Sequence, residues 1–277
     1  MTQLKEYVKN EKEVKIVSKV RADYVKKYAN FLIESGNIID GAIVVDVPCG
    51  TGDMAKAISE KIAVDKFALI DLNKNMIDSA KKKIKNNATF IVGDAGDIGT
   101  LIDFRADTII CLNGFHQYIS RQHGFLDGCG KHLKRKGRLI FDVSTRGLHD
   151  EYTKNLFHNW QWNVIALSKE YGIKAQLPVW PDKDILEKYR NMLSNNGLRV
   201  IAEKEFISYK TTVEVLSDAI IIPGRSRPWI PGLGYGKRKE ILEKSMENSI
   251  EKLGKHKIEH NRIFFIAERI PDMYKTS

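Results

Sequence analysis

Five residues in the first third of the chain have the types and spacing to hold a ligand: Asp46, Gly50, Gly52, Asp71 and Asp94. Gly50-Thr51-Gly52-Asp53-Met54-Ala55 satisfies the pattern GxGxx[GA], in which glycines let backbone approach a ligand where a side chain would obstruct it. Asp71 stands about twenty residues beyond Gly50, the position at which an acid accepts from ribose hydroxyls in dinucleotide enzymes. Asp46 argues against a dinucleotide. A carboxylate just before the turn repels a pyrophosphate and attracts an ammonium or a sulfonium. Asp94, followed by the backbone N–H of Ala95, has the acceptor and donor that an adenine edge needs. Each acid alone is an ordinary strand-end or helix-capping residue, and only the three in order single out one ligand.

The elements that must position these residues are legible around them. Ile43–Val47 is a short apolar run that reads as a strand buried on both faces, with the glycine turn and a helix over about 53–61 behind it. Further runs at Phe67–Leu72, Thr89–Val92, Asp107–Leu112 and Arg138–Val143 alternate with helical patterns at about 74–86 and 121–133. The alternation predicts a parallel α/β sheet, so Asp46, Asp71 and Asp94 fall at three successive strand ends on its carboxyl edge. S-adenosylmethionine has parts to match them: a cationic methionyl end for Asp46, a ribose for Asp71, an adenine for Asp94. Ahead of the sheet, residues 3–35 read as a broken amphipathic helix ended by Ser35-Gly36-Asn37. The alternation lapses twice, over 145–180, rich in aromatics, and over 211–256, which carries Arg225, Arg227, Trp229 and Arg238. Between them come a helix restarting at Pro181-Asp182 and a strand over Leu198–Tyr209, and Arg262–Glu268 is a seventh strand. Long insertions after strands five and six leave from the carboxyl edge and suit a substrate cap. The expected organisation is a helical lid over 1–40 and a core over 41–277, with cap insertions at about 145–180 and 211–256.

The 277 residues, 43% hydrophobic, suffice for one large domain or a core with a cap. No apolar run approaches the roughly 20 residues that a membrane span needs, and the charged N-terminus lacks a signal segment. Cys49, Cys111 and Cys129 show neither CxxC nor disulfide-framework spacing, so no metal is expected and a reducing, cytoplasmic setting is. The net charge of +10 permits nucleic acid without requiring it. Lys81-Lys82-Lys83-Ile84-Lys85 and Lys131 to Lys136 each precede a strand, which puts them on the edge opposite the ligand. A small-molecule acceptor is therefore favoured over RNA, for a monomer or a homodimer.

The motifs together resemble the class I S-adenosylmethionine-dependent methyltransferases. Asp46-Val47-Pro48-Cys49-Gly50-Thr51-Gly52 matches the first motif of that family, with Pro48 where a glycine is usual. Asp71-Leu72-Asn73-Lys74-Asn75-Met76 matches the second, Gly93-Asp94-Ala95 the third, Leu112-Asn113-Gly114-Phe115-His116 the fourth, and Lys136-Gly137-Arg138-Leu139 the turn into strand five. The resemblance covers about 20–145. Beyond that, the chain is weakly similar to trans-aconitate and malonyl-carrier methyltransferases. It implies a Rossmann-like, seven-stranded, mostly parallel sheet with helices on both faces and helical cap insertions, in the order 3-2-1-4-5-7-6 with strand seven antiparallel. It also implies cofactor contacts from Asp46, Cys49, Gly50, Gly52, Asp71, Leu72, Met76, Asp94, Ala95 and Asn113. Arg21 or Tyr24 of the N-terminal helix is placed to meet the carboxylate or methionyl arm.

Methyl transfer asks the protein mainly to align the acceptor and exclude water. His116 is the candidate base where the acceptor must lose a proton, with pocket-shaping as its alternative role; His149 and His158 are weaker candidates. Cys49, with no histidine beside it in sequence, suits packing better than attack. Arg225 and Arg227, with Arg238, have the planar donors to grip an acidic acceptor, and Trp160 stands for the aromatics expected around it. The competing readings are an RNA or carrier-protein methyltransferase, a protein that uses the cofactor for another reaction, and a dehydrogenase binding NAD.

Overall fold

The computed structural model describes residues 8–85, 87–117, 119–144, 151–177 and 184–270. Its seven-stranded sheet has the expected order, β3-β2-β1-β4-β5-β7-β6. The strands are β1 Ile43–Asp46, β2 Lys66–Asp71, β3 Ala88–Val92, β4 Ala106–Cys111, β5 Leu133–Ser144, β6 Leu198–Thr211 and β7 Lys257–Arg269. The helices are α1 Glu11–Gly36, α2 Asp53–Ser59, α3 Lys74–Lys83, α4 Ile98–Leu101, α5 Gln122–His132, α6 Glu151–Lys169, α7 Ile185–Asn195, α8 Thr212–Ile221, α9 Pro223–Ser226 and α10 Tyr235–Leu253. Among the described residues no helix is long and apolar enough to cross a membrane.

Strand β1 pairs in parallel with β2 on one side and β4 on the other. β2 pairs in parallel with β3, and β4 with β5. The chain leaves β1 toward β2 and β3, then returns to lay β4 against the other side of β1. That reversal opens a crevice beyond the carboxyl ends of β1 and β4, where open α/β sheets take their ligands. The continuous apolar runs are explained by burial on both faces, since Val44, Val45, Ala68, Leu69, Ile70, Ile109 and Ile110 are wholly inaccessible.

Local chemistry sets the element ends. Asn10 caps α1, its side chain accepting from the Glu13 backbone N–H at 3.0 Å, and Glu11 and Glu13 favour that end of the helix dipole. The helix therefore begins at Glu11, later than its apolar stripe suggests. It ends on Asn37, which takes the left-handed conformation (φ 52°) that Gly36 was expected to supply. Strand β5 starts five residues earlier than its apolar run. Leu133 pairs with Ala106 and Arg138 with Thr108, so the expected Lys136-Gly137 turn is a bulge within the strand, with Lys136 at φ 63°. The Pro181-Asp182 helix start lies outside the described residues.

The chain divides into two compact units. The described residues of Asn10–Val143, Asp184–Glu205 and Ile263–Ser277 form one, which contains α1 and the ligand-facing edge of the sheet. The N-terminal helix thus groups with the core and is no domain of its own. The described residues of Met1–Lys9, Ser144–Lys183 and Phe206–Arg262 form the other, close to the two expected insertions. This second unit has its own apolar centre, in which Leu156, Phe157, Trp160 and Val164 of α6 meet Val215, Leu216, Ile230, Ile241 and Leu242.

Candidate functional site

The site is built on the turn after β1. Strand β1 brings Asp46 to its carboxyl end, and the ladder continues past it: Val47 N–H donates to Ile110 O at 2.9 Å and Cys49 N–H to Ile70 O at 2.8 Å. The turn is thereby anchored to β4 and to β2. Gly52 opens α2 at φ 75°, and a Cβ there would fall 2.8 Å from the Cβ and 2.9 Å from the Cα of Ala80 in α3. Only glycine permits that packing of α3 under the turn. Gly50 adopts φ 53°, and a Cβ on it would meet the guanidinium of Arg21 at 3.2 Å. Arg21, on α1, therefore lies over the turn.

These residues line a narrow cleft formed by Arg21, Tyr24, Asp46, Cys49, Asp53 and Asn113, with Val25, Pro48, Thr51, Met54 and Leu112 between them. Asp46 is 3% exposed, and its Oδ2 has no hydrogen-bond partner. Burial first, and the Asp71 carboxylate second, push its pKa up to about 8 against the pull of Arg21. Asp71 stands behind the turn. It accepts from Gly50 N–H at 2.9 Å and from Asn73 N–H at 2.8 Å. Burial raises its pKa, while those two N–H groups and Arg21 favour the ionised form. Asp71 thus fixes the turn whether or not a ligand is present. Burial and the two carboxylates raise the Cys49 thiol well above its usual value, which removes it as a nucleophile.

A second constellation holds α1 in place. Tyr24 donates its hydroxyl to Asp142 Oδ2 at 3.0 Å, and Asn113 N–H donates to Asp142 Oδ1 at 2.6 Å, with Asn113 itself at φ 51°. Ser18 donates to Asp53 Oδ2 at 2.6 Å, Thr51 donates to the same oxygen at 2.5 Å, and Lys83 pairs with Asp53 and reaches Ser18 at 3.2 Å. Burial opposes ionisation of Asp53, but its bonds from Lys83, Ser18 and Thr51 prevail and hold its pKa low. Lys83 was expected in a solvated run on the opposite edge. The close approach of Ala80 to Gly52 swings the end of α3 beneath the turn and sends this lysine to Asp53 instead.

Of the residues singled out in the sequence, Arg21, Asp46, Cys49 and Asn113 line one cleft, with Gly50 and Gly52 forming the turn and Asp71 braced behind it. Leu72 is half-buried and Met76 is buried in the first turn of α3. Asp94 accepts from Gly96 N–H at 2.8 Å and Ala95 is buried; Gly93 N–H bonds Asp71 O at 3.1 Å, which sets this segment beside the ribose-type acid. His116 is exposed, because Phe115 beside it is wholly buried against Phe125, Phe141 and Tyr189. His149 lies outside the described residues, and His158 is exposed on α6.

The cap residues require a correction. Trp160 is 3% exposed in the centre of the cap unit, edge-on to Trp229, so it is a packing residue there. Arg238 is 5% exposed and spends its guanidinium on Ser226 Oγ and the carbonyls of Leu233 and Pro223. It closes the loop and does not grip a substrate. Arg225 and Arg227 are half-buried in the same unit. The sequence reading missed Asp142, although it carries the same signal as Asp46, an acid at the carboxyl end of a buried strand. It also missed Ser18, Asp53 and Lys83, for which no local signal exists.

An open α/β sheet with a glycine turn and an acid-lined cleft at its switch point defines a ligand-binding domain of nucleotide type. A sequence-family model described as "Methyltransferase domain" matches residues 44–137. A demethylmenaquinone methyltransferase of Thermotoga maritima is 35% identical over 35% of this chain and 41% of its own length. Malonyl-[acyl-carrier protein] O-methyltransferases are 29% identical in Priestia megaterium, over 47% of this chain and 48% of that one, and 22% identical in Brevibacillus brevis, over 82% and 80%. The chain spans less than half the length of the first two relatives. Two solved structures share the fold. A methyltransferase of Thiobacillus denitrificans in complex with S-adenosyl-L-homocysteine has TM-score 0.55 and 13% identity, covering 88% of this chain and 91% of that one. The [4+2]-cyclase SpnF has TM-score 0.57 and 14% identity, over 88% and 80%. The likeness to methyltransferase domains is thus confined in sequence to residues 44–137, and over the rest of the chain it is one of fold. The resemblance to the class I S-adenosylmethionine-dependent methyltransferases extends from the motifs to the fold, and S-adenosylmethionine is the cofactor of that class.

Proposed function

We propose that this chain binds S-adenosylmethionine in the β1–β4 cleft and transfers its methyl group to a small acceptor bearing a carboxylate. The observation that carries the reading is Asp46, a buried carboxylate with an unpartnered oxygen, set beside Arg21 at the glycine turn. An amino-acid end is a zwitterion, and an acid next to an arginine is its complement. A pyrophosphate in the same place would meet Asp46, Asp53 and Asp71. The residues therefore fit the cofactor. Asp46 would face its cationic end and Arg21 its carboxylate, Asp71 would accept from the ribose hydroxyls, and Asp94 with the Ala95 N–H would hold the adenine, against Leu72 and Met76. When bound, it supplies a methyl group already attached to a good leaving group.

The protein's part is then to orient and to exclude water. Helix α1, tied down through Tyr24 and Ser18, covers the turn. A carboxylate acceptor is already ionised at neutral pH and needs no base, which accords with His116 being exposed. Arg225 and Arg227 are the cap cations proposed to pair with it. The carrier-linked alternative has its own support, because four relatives are named malonyl-[acyl-carrier protein] O-methyltransferases. RNA is less favoured, since Lys83, Lys131 and Lys134 are engaged with Asp53, Asp127 and Asp107. Buried, free Cys49, Cys111 and Cys129 suit a reducing cytoplasmic setting.

The test is incubation of the purified chain with methyl-labelled cofactor and separate panels of free dicarboxylic acids and carrier-linked acyl groups. Label in an ester is the expected result. Label left only in unreacted cofactor, across both panels and a cell extract, would refute methyl transfer.

A further inference from the structure

We propose that Asp46 carries a proton while the cleft lacks its cationic ligand and gives that proton to solvent when the ligand enters, so that cofactor capture is coupled to proton release. The proposal rests on the reading of the site given above and concerns this chain's own carboxylate.

The geometry supports it from every side. Asp46 is 3% exposed and lines the cleft, and its Oδ2 is inaccessible and unpartnered. From β2, the half-buried Asp71 carboxylate adds negative potential. From the turn, the buried Cys49 thiol offers no charge. From α2, Asp53 has its charge committed to Lys83, Ser18 and Thr51. From β5, Asp142 is occupied by Tyr24 and Asn113. From α1 comes Arg21, the only cation among the described residues lining the cleft, and Asp46 and Asp71 share it. A buried and a half-buried carboxylate that share one guanidinium leave one negative charge unmatched, and protonating the more buried, less hydrogen-bonded acid removes it. Asp71 keeps two backbone N–H donors and Asp46 lacks a partner on Oδ2, so the proton belongs on Asp46. The elevation of its pKa to about 8 points the same way.

An ammonium or sulfonium entering beside Asp46 supplies the missing counter-charge. The carboxyl O–H bond then breaks, its electron pair stays on the oxygen, and the proton passes to the buffer. The direction of the pH effect follows. Binding draws on the ionised carboxyl and on the cationic ligand, so affinity rises with pH toward the ligand-free pKa and falls above it, where the ligand's own α-ammonium loses its proton.

The experiment is calorimetric titration of the full chain with S-adenosylmethionine in phosphate and in imidazole, buffers whose ionisation enthalpies differ widely, at about pH 6.5 and again at about pH 7.5. The buffer dependence of the enthalpy should report ~0.9 proton released at the lower pH and ~0.4 at the higher, from a ligand-free carboxyl value of about 8 less the proton that the ligand's own α-amino group, with a pKa of about 7.8, takes back. 5′-Methylthioadenosine, which has the adenosine but no cation, should bind with no release at either pH, and this arm needs no variant. Asp46→Asn should bind S-adenosylmethionine more weakly and without release. Tight binding by the wild type with no net proton release would overturn the proposal alone, as would equal release from Asp46→Asn. Absence of any binding would overturn the reading of the site and the proposal with it.

Discussion

A buried acid with an unpartnered oxygen costs the ligand-free fold something, and the sign of that cost can be measured. The Asp46 pKa is raised from the usual carboxylate value to about 8 in the folded chain. Between those values the native state holds a proton that the unfolded chain has lost, so wild-type stability falls as pH rises through that window. Asp46→Asn has no such proton. Its melting temperature should equal or exceed the wild-type value, with the gap widening from about pH 6 to about pH 9 in a thermal-melt series. A constant gap would contradict the assignment. Gly52 is constrained more directly, since Gly52→Ala forces a left-handed backbone and a clash with Ala80. It should lose about 1–3 kcal/mol in chemical denaturation from the backbone alone. The glycines and the strand-end acids were legible because each acts within a few residues of its own strand. Asp142 was legible by the same rule and was passed over. The Ser18–Asp53–Lys83 cluster was not, because its members lie 30 to 65 residues apart and meet only once α1 and α3 are packed.

Helix α1 is the element on which access to the cleft depends. It supplies Arg21, Tyr24 and Val25 to the lining and is held by Ser18 at Asp53 and by Tyr24 at Asp142. Tyr24→Phe leaves the buried Asp142 with one recorded donor fewer, a loss of about 1–3 kcal/mol. Hydrogen exchange should show reduced protection in α1 and around Asn113, with β1, β2 and β4 unchanged. Equal loosening across the whole sheet would mean that the contact is a general stability contact and not a local tie. Strands β1 to β4 matched their apolar runs within a residue or two, because burial leaves an unbroken signal, whereas β5 starts five residues early along the charged Lys134-Arg135-Lys136 stretch. Strand β6 keeps its expected start and ends two residues later, and β7 begins five residues before its run, along the polar Glu259-His260-Asn261. β6 is largely exposed along its length, and its alternating Glu203, Lys204 and Glu205 carry no apolar signature.

At the scale of the whole chain, composition and charge narrowed the reading less than position did. The net charge of +10 suggested an anionic partner, yet several of the lysines in its basic runs are paired within the fold. The second unit was visible in the sequence as two lapses in alternation, but its internal packing was not. Trp160 and Arg238 looked like substrate residues because aromatic and arginine side chains serve binding and packing equally well, and only burial separates the two. The central claim is that three strand-end acids and a glycine turn make a site for a cationic cofactor and not for a dinucleotide. Side-by-side calorimetric titration of the chain with S-adenosylhomocysteine, which retains the ammonium, and with NAD tests it most directly. Saturable binding of S-adenosylhomocysteine with no detectable binding of NAD is the expected result; affinity for NAD with none for S-adenosylhomocysteine would contradict the account.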